Sequence, residues 1–142
     1  MLSKAKHLLV LIKGGGDLGT GVAYRLCRAG MQVVVTELAQ PTVIRRAVSL
    51  AEAVYIGEVM VEGLRARLVP DAGAARLALA AGVVPVLIDP QADIMKELRP
   101  QVVVDARIAK RNLGTRMDEA ELVIGLGPGF VAGRDVHAVI ET

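Results

Sequence analysis

Leu8-Leu-Val-Leu-Ile12 is an unbroken apolar run leading into Gly14-Gly15-Gly16. A strand covered on both faces has no polar side to alternate with, so this run predicts a central parallel strand. From Gly19 the period changes: Leu18, Val22, Ala23, Leu26 and Cys27 share one helical face, with Arg25 and Arg28 away from it, and Gly30 suits the helix end. Gln32-Val-Val-Val-Thr36 reads as a second strand reaching Glu37. A short helix is predicted from about Thr42 to Ala53. Strand-like runs follow at Tyr55 to Val61 and Leu64 to Val69, meeting in a tight hairpin at Glu62-Gly63. Alternation then resumes with a helix over Ala72 to Ala81 and a strand over Val84 to Ile88. A helix over Ala92 to Leu98 and strands at Val102 to Val104, Leu122 to Ile124 and Val136 to Ile140 complete the order. It predicts an α/β, Rossmann-like fold, with a mostly parallel sheet, helices on both faces and an inserted β-hairpin.

A length of 142 residues favours one domain over two. Apolar residues make up 53% and aromatics 2%, so the core is expected to be Val, Leu, Ile and Ala. Seventeen basic against fifteen acidic residues leave a net charge of +2, too balanced for a dedicated nucleic-acid surface. Few aromatics also leave no platform on which bases would stack. Cys27 is the only cysteine, which excludes an intrachain disulfide and a cysteine-cluster metal site. A reducing, cytoplasmic setting follows from that usage. The apolar run from Leu77 to Ile88, interrupted by Pro85, falls short of the roughly 20 residues that span a bilayer, so no membrane association is expected.

Candidate chemistry begins at Gly14-x-Gly16-x-x-Gly19, between a predicted strand and a predicted helix. Glycine is needed there for a tight turn, for close backbone approach to a pyrophosphate, and for packing helix on strand. Free amides of Gly15, Asp17 and Leu18 at the helix start would face an anion. Asp17 is read chiefly as a helix cap. Glu37, eighteen residues after Gly19, stands where a carboxylate accepts hydrogen bonds from a ribose diol. An acid there disfavours a 2′-phosphate, an inference complicated by nearby Arg45 and Arg46, which are themselves candidates to bind further anions of the cofactor. The alternatives are a glycine turn kept for packing alone and a Glu37 that is merely solvated.

Two later segments follow strands at the same expected sheet edge. Asp105-Ala-Arg107-Ile-Ala-Lys110-Arg111-Asn112 gathers three cations, an acid and an amide. Gly125-Leu-Gly127-Pro-Gly129-Phe130 is a second backbone loop able to approach an anion. Together they would clasp a phosphorylated or carboxylated ligand opposite the first loop. An ordinary basic surface loop and an ordinary turn are the alternative. His7 and His137 have no evident partner and read as structural; Cys27 reads as buried and inert. No set of catalytic or metal-ligating residues emerges.

Several segments together closely resemble the selenium-dependent molybdenum hydroxylase accessory family, which is related in role to the Rossmann-domain xanthine dehydrogenase accessory proteins. They are Ile12-Lys-Gly-Gly-Gly-Asp-Leu18, Thr36-Glu-Leu-Ala-Gln-Pro41 with Ile44-Arg-Arg46, Val61-Glu-Gly63, Val104-Asp-Ala-Arg107 with Lys110-Arg-Asn-Leu-Gly-Thr115, and Ile124-Gly-Leu-Gly-Pro-Gly-Phe130 through Asp135-Val-His-Ala-Val139. The resemblance implies a maturation factor that handles molybdenum cofactor, in its cytosine dinucleotide form, or a labile selenium species, and delivers it to a molybdenum hydroxylase. It also implies that the Asp105 to Asn112 segment is functional. Family members continue past the segment matching Glu141-Thr142, so residues 1–142 are expected to be the N-terminal part of a longer protein or a short natural form.

The expected function is therefore a non-catalytic accessory protein that binds a nucleotide-bearing small molecule, either NAD-like or molybdopterin cytosine dinucleotide. An NAD-dependent oxidoreductase and an NAD-sensing regulatory module are the competing readings. The first lacks a visible proton donor. A homodimer through an edge strand or helix is also expected.

Overall fold

A computed structural model describes residues 8–43 and 46–142, with Arg46 described in its backbone alone. The chain runs β1 (Leu9–Lys13), α1 (Asp17–Arg28) and β2 (Gln32–Glu37), then two 3-10 turns (Arg46–Val48 and Leu50–Glu52) and α2 (Ala53–Ile56). It continues through β3 (Glu58–Val61), β4 (Leu64–Leu68), α3 (Ala72–Ala80), β5 (Val84–Ile88) and α4 (Met95–Leu98). The last elements are β6 (Val102–Asp105), a 3-10 turn at Met117–Glu119, β7 (Leu122–Leu126) and β8 (Ala138–Ile140).

Among the described residues, eight strands form one sheet in the order β3-β4-β5-β2-β1-β6-β7-β8. Only the β3–β4 hairpin is antiparallel; every other neighbouring pair is parallel. Its turn places Glu62 at φ +52° and Gly63 at φ +80°, the left-handed pair that matches the twist of a two-residue hairpin. After β2 the chain runs out to this edge hairpin and returns through α3 to β5, which lies between β4 and β2. It then passes to β6 on the far side of β1, where Leu11 stands opposite Val34 on one flank and Val103 on the other. Connections leave β1 and β6 in opposite directions. A crevice therefore opens at their carboxyl ends, where open α/β sheets place ligands.

Alternate residues of the central strands feed two cores. Val10, Ile12, Val33 and Val35 meet Ala23 of α1 together with Leu50 and Ala53. Leu11, Val34, Val103 and Val123 meet Ala75 and Ala78 of α3. Val10, Leu11, Ile12, Val34 and Val35 are completely buried, each contributing roughly 1.5–3 kcal/mol of transfer free energy. Alanines on the facing helices let them lie close to the strands. Both long helices end alike. Gly30 (φ +92°) and Gly82 (φ +75°) turn left-handed, and Met31 and Val83 donate their amides back to Leu26 and Ala78 at 3.0 and 2.9 Å. The carboxylate of Asp71 caps the start of α3 by accepting the Ala74 amide at 2.9 Å.

Four local expectations need correction. The helix expected over Thr42 to Ala53 is, in its described part, two 3-10 turns, and the α-helical turn begins only at Ala53. Tyr55 consequently lies in α2 rather than in a strand, with its hydroxyl donating to the Pro41 carbonyl at 2.7 Å. The helix expected over Ala92 to Leu98 shrinks to Met95–Leu98, because Asp89 holds the preceding turn by accepting the Asp93 and Ile94 amides at 3.0 and 2.9 Å. Leu18 does not join the buried face of α1; it is 45% exposed. Among the described residues no helix is long and apolar enough to cross a membrane.

Candidate functional site

At the carboxyl edge the ladder continues one step past the strands. The Gly14 amide donates to Thr36 (2.9 Å), that of Ala106 to Lys13 (2.8 Å), and that of Asp89 to Glu37 (2.8 Å). These bonds align the segments that follow β1, β2, β5 and β6. Between them lies a cleft of about 710 Å³, within the range of small-molecule sites. Gly14, Gly16, Asp17 and Leu18 form one wall, and Glu37 with Leu38, Pro41, Thr42 and Val43 forms the next. Asp89 to Gln91 and Ala106 to Ala109 with Leu113 close it.

The three glycines of the first loop have three separate reasons to be glycine. Gly14 has φ +98°, and a Cβ there would press on the backbone of Ala106 and Arg107 at 3.1–3.2 Å. A Cβ on Gly19 would collide with the Gly14 carbonyl oxygen. At Gly16, by contrast, a Cβ would meet only Val43, at 3.4 Å. Packing fixes Gly14 and Gly19, whereas Gly16 faces open cleft, as backbone approach by a ligand requires. Beneath the loop, the Gly15 carbonyl accepts from the Thr20 hydroxyl (3.1 Å), the Ser49 hydroxyl (2.6 Å) and the Ala51 amide (2.9 Å). The loop is thus held from below. Gly16 is the N-cap of α1 and supplies no side-chain cap, so the first amides of the helix have no intrahelical acceptor. Asp17 is accordingly the first residue of α1 rather than its cap, where its charge suits the positive end of the helix dipole.

Glu37 is buried, yet it lines the cleft. Its two carboxylate oxygens accept the Gly15 amide at 2.6 Å and the Leu38 amide at 2.8 Å, so the Gly15 amide, expected to face an anion, is instead taken by Glu37, and Gly15 lies outside the cleft lining. Both oxygens keep acceptor capacity for a hydroxyl donor from the cleft side.

Asp105, at the end of β6, is 2% exposed and bound by Arg107 in a fork, Nε to Oδ1 at 3.0 Å and Nη2 to Oδ2 at 2.7 Å. Burial pushes its carboxyl pKa up, but the hydrogen bonds and charge of Arg107, with the Thr115 hydroxyl and the Arg107 amide, outweigh that and hold it below its ordinary value. Lys13 stands opposite Asp105 in the sheet register, and its buried ammonium reaches Thr115 at 2.7 Å and Glu119 at 2.8 Å. Sequence reading missed Lys13, Thr115 and Glu119. They are separated by more than 100 positions or lie in an irregular stretch. A lysine ending an otherwise apolar central strand was the one available signal.

Of the other anticipated residues, Arg107 lines the cleft, while Lys110 and Arg111 are exposed outside its lining. Asn112 is a turn residue: its side chain accepts the Gly114 and Thr115 amides and donates to the Thr115 carbonyl at 2.8 Å. Gly125, Gly127 and Gly129 stand outside the cleft lining, Gly127 in a left-handed conformation (φ +83°). Gly125 lies under the Phe130 ring, Gly129 against the Arg111 backbone, and Gly127 beside Ile108. Arg45 lies outside the described residues, as do the Arg46 side chain and His7. His137 accepts the Val123 amide on Nδ1 at 2.9 Å, a structural bond. Cys27 is half-buried, and burial pushes its thiol pKa up to about 11. Among the described residues no three His, Cys, Asp or Glu side chains are grouped to hold a metal.

Fold and cleft together define an α/β, Rossmann-like protein with its cavity at the carboxyl edge of a mostly parallel sheet. Over 136 residues the chain is 52% identical to "Uncharacterized protein YqeB" of Escherichia coli (strain K12), a match covering 96% of this chain and 25% of that protein. The chain thus spans about a quarter of the length of that relative. No family model matches the chain, and no solved structure matches it significantly.

Proposed function

We propose that this chain is a nucleotide-binding module of a cytoplasmic accessory protein that takes up a nucleotide-bearing molybdenum cofactor and passes it to a molybdenum hydroxylase. One observation carries the nucleotide part. A glycine loop, held from beneath and with room for a ligand at Gly16, shares a cleft with the carboxylate of Glu37 at the switch point of the sheet. A phosphate at the loop and a ribose hydroxyl at Glu37 would use both features at once. The molybdenum part rests on the segment resemblance described above.

Thermal unfolding with NAD, NADP, CTP and molybdopterin cytosine dinucleotide tests the reading. A ligand at about 100 times its dissociation constant adds roughly 2.7 kcal/mol, enough to raise the midpoint by several degrees. A shift with the pterin dinucleotide, shared in part by CTP, is the expected result. A shift with NAD alone would instead favour an oxidoreductase or a sensor.

A further inference from the structure

Arg107 is the one cation among the described side chains that lines the cleft. It lies beside the glycine turn, its Cα 3.2 Å from where a Cβ on Gly14 would stand. Its inner edge is fully engaged. Nε and Nη2 grip Asp105, and Nη2 also donates to Thr115 Oγ1 at 3.1 Å. The Thr115 hydroxyl donates its proton to Asp105 Oδ2 at 2.8 Å and accepts from Lys13 Nζ at 2.7 Å and from Arg107. One proton and two lone pairs are all a hydroxyl has, so its orientation is fixed. Lys13 is in turn tied to Glu119 at 2.8 Å. Two cations and two anions balance, and the cluster carries no net charge of its own.

The outer edge of Arg107 is different. Nη1 makes no hydrogen bond to any described residue, and among the described residues no fully buried side-chain nitrogen or oxygen lacks a partner, so Nη1 is not fully buried. Asp17, Glu37 and Asp89 also line the cleft, and their charge opposes an anion, so the phosphate position is confined to the side of the cleft where Arg107 and the glycine turn meet. Glu37 and Asp89 each accept two backbone amides, and Asp17 has a partner.

We propose that Lys13, Thr115 and Asp105 hold Arg107 as a one-sided donor, whose Nη1 edge binds the phosphate groups of the cleft ligand beside the glycine loop. This deepens the nucleotide reading and rests on it for the identity of the ligand. The anion subsite itself does not depend on a base or a sugar. Arg107 is the binding residue; Lys13, Thr115 and Asp105 are positioning residues.

The test is calorimetric titration of the chain with inorganic pyrophosphate, and in parallel with ADP, CDP and their nucleosides. Arg107→Ala is expected to weaken pyrophosphate at least 10-fold. Arg107→Lys should restore little of it, since an ammonium cannot grip Asp105 and an anion with two separate edges. Thr115→Val is expected to weaken pyrophosphate about 5-fold and Thr115→Ser to return it, a rescue that a merely structural role for the threonine methyl would not give. Should Arg107→Ala fail to fold, the side-chain ¹⁵N resonances of Arg107 in the unsubstituted protein are expected to shift on adding pyrophosphate. An unsubstituted chain that ignores pyrophosphate, an Arg107→Ala variant that binds it equally, or unmoved Arg107 resonances would each overturn the proposal. Arg107-dependent pyrophosphate binding, with ADP and CDP no tighter than pyrophosphate, would keep the subsite and sink the nucleotide reading instead.

Discussion

The Glu37 carboxylate accepts the Gly15 amide at 2.6 Å, tying the end of β2 to the glycine loop after β1. Its second oxygen accepts Leu38, so the acid shapes the loop before any ligand arrives. Glu37→Gln keeps the size but offers one acceptor oxygen and sets an amide group against a backbone donor. Urea unfolding is expected to show a loss of about 1–3 kcal/mol. Unchanged stability would mean that Glu37 is an ordinary solvated strand end.

Gly19 and Gly16 should separate stability from binding. Gly19→Ala drives a Cβ into the Gly14 carbonyl and is expected to cost about 2–3 kcal/mol in urea unfolding. Gly16→Ala meets only Val43 at 3.4 Å and should cost about 1 kcal/mol or less. Its effect should appear as a pyrophosphate affinity at least 10-fold weaker, from a methyl group placed in the cleft. Equal stability losses for the two variants would refute this division of roles.

Asp105 supplies the pH dependence. Its folded pKa is depressed below the unfolded value, so the stabilisation is complete above about pH 4 and is lost as pH falls through the lower folded value. Acid unfolding of Asp105→Asn, followed by circular dichroism, should show a shallower loss of stability below about pH 4 than the unsubstituted chain. Parallel curves would show that the Arg107 fork contributes nothing to acid stability.

Cys27 should be a slow thiol. With its pKa pushed up from 9.0 to about 11, it holds roughly 100-fold less thiolate at pH 8 than a free cysteine, and alkylation by iodoacetamide should slow in proportion. Adding urea past the unfolding midpoint should restore the ordinary rate. Rapid alkylation of the folded chain would contradict its placement against the core.

Where local chemistry decides structure, the sequence was readable. The Glu62-Gly63 pair marked a two-residue turn because glycine in second place takes the positive φ such a turn needs, and Glu62 beside it adopts φ +52°. The stretch before Ala53 was misread because Val43, Ala47 and Ala51 suit one helical face, yet Ser49 and Ala51 are drawn instead to the Gly15 carbonyl. That bond spans 34 positions for Ser49, beyond the reach of any periodicity. The packing reason for glycine at Gly125 and Gly129 was likewise hidden, since Phe130 and the Arg111 backbone come against them only in the fold.

The fold class and the first loop were legible from the residues alone. Apolar runs buried on both faces, Ala-rich helices and a glycine loop between strand and helix are dictated by short-range sterics and period. Only the tertiary structure decided which polar residues share the cleft. Lys13 and Thr115 meet across 102 positions, beneath the cleft, because β6 lies beside β1, an order set by how the whole sheet assembles. The same assembly singles out Arg107 from the neighbouring cations. Contact between distant side chains depends on the path of the chain between them, which no local pattern encodes.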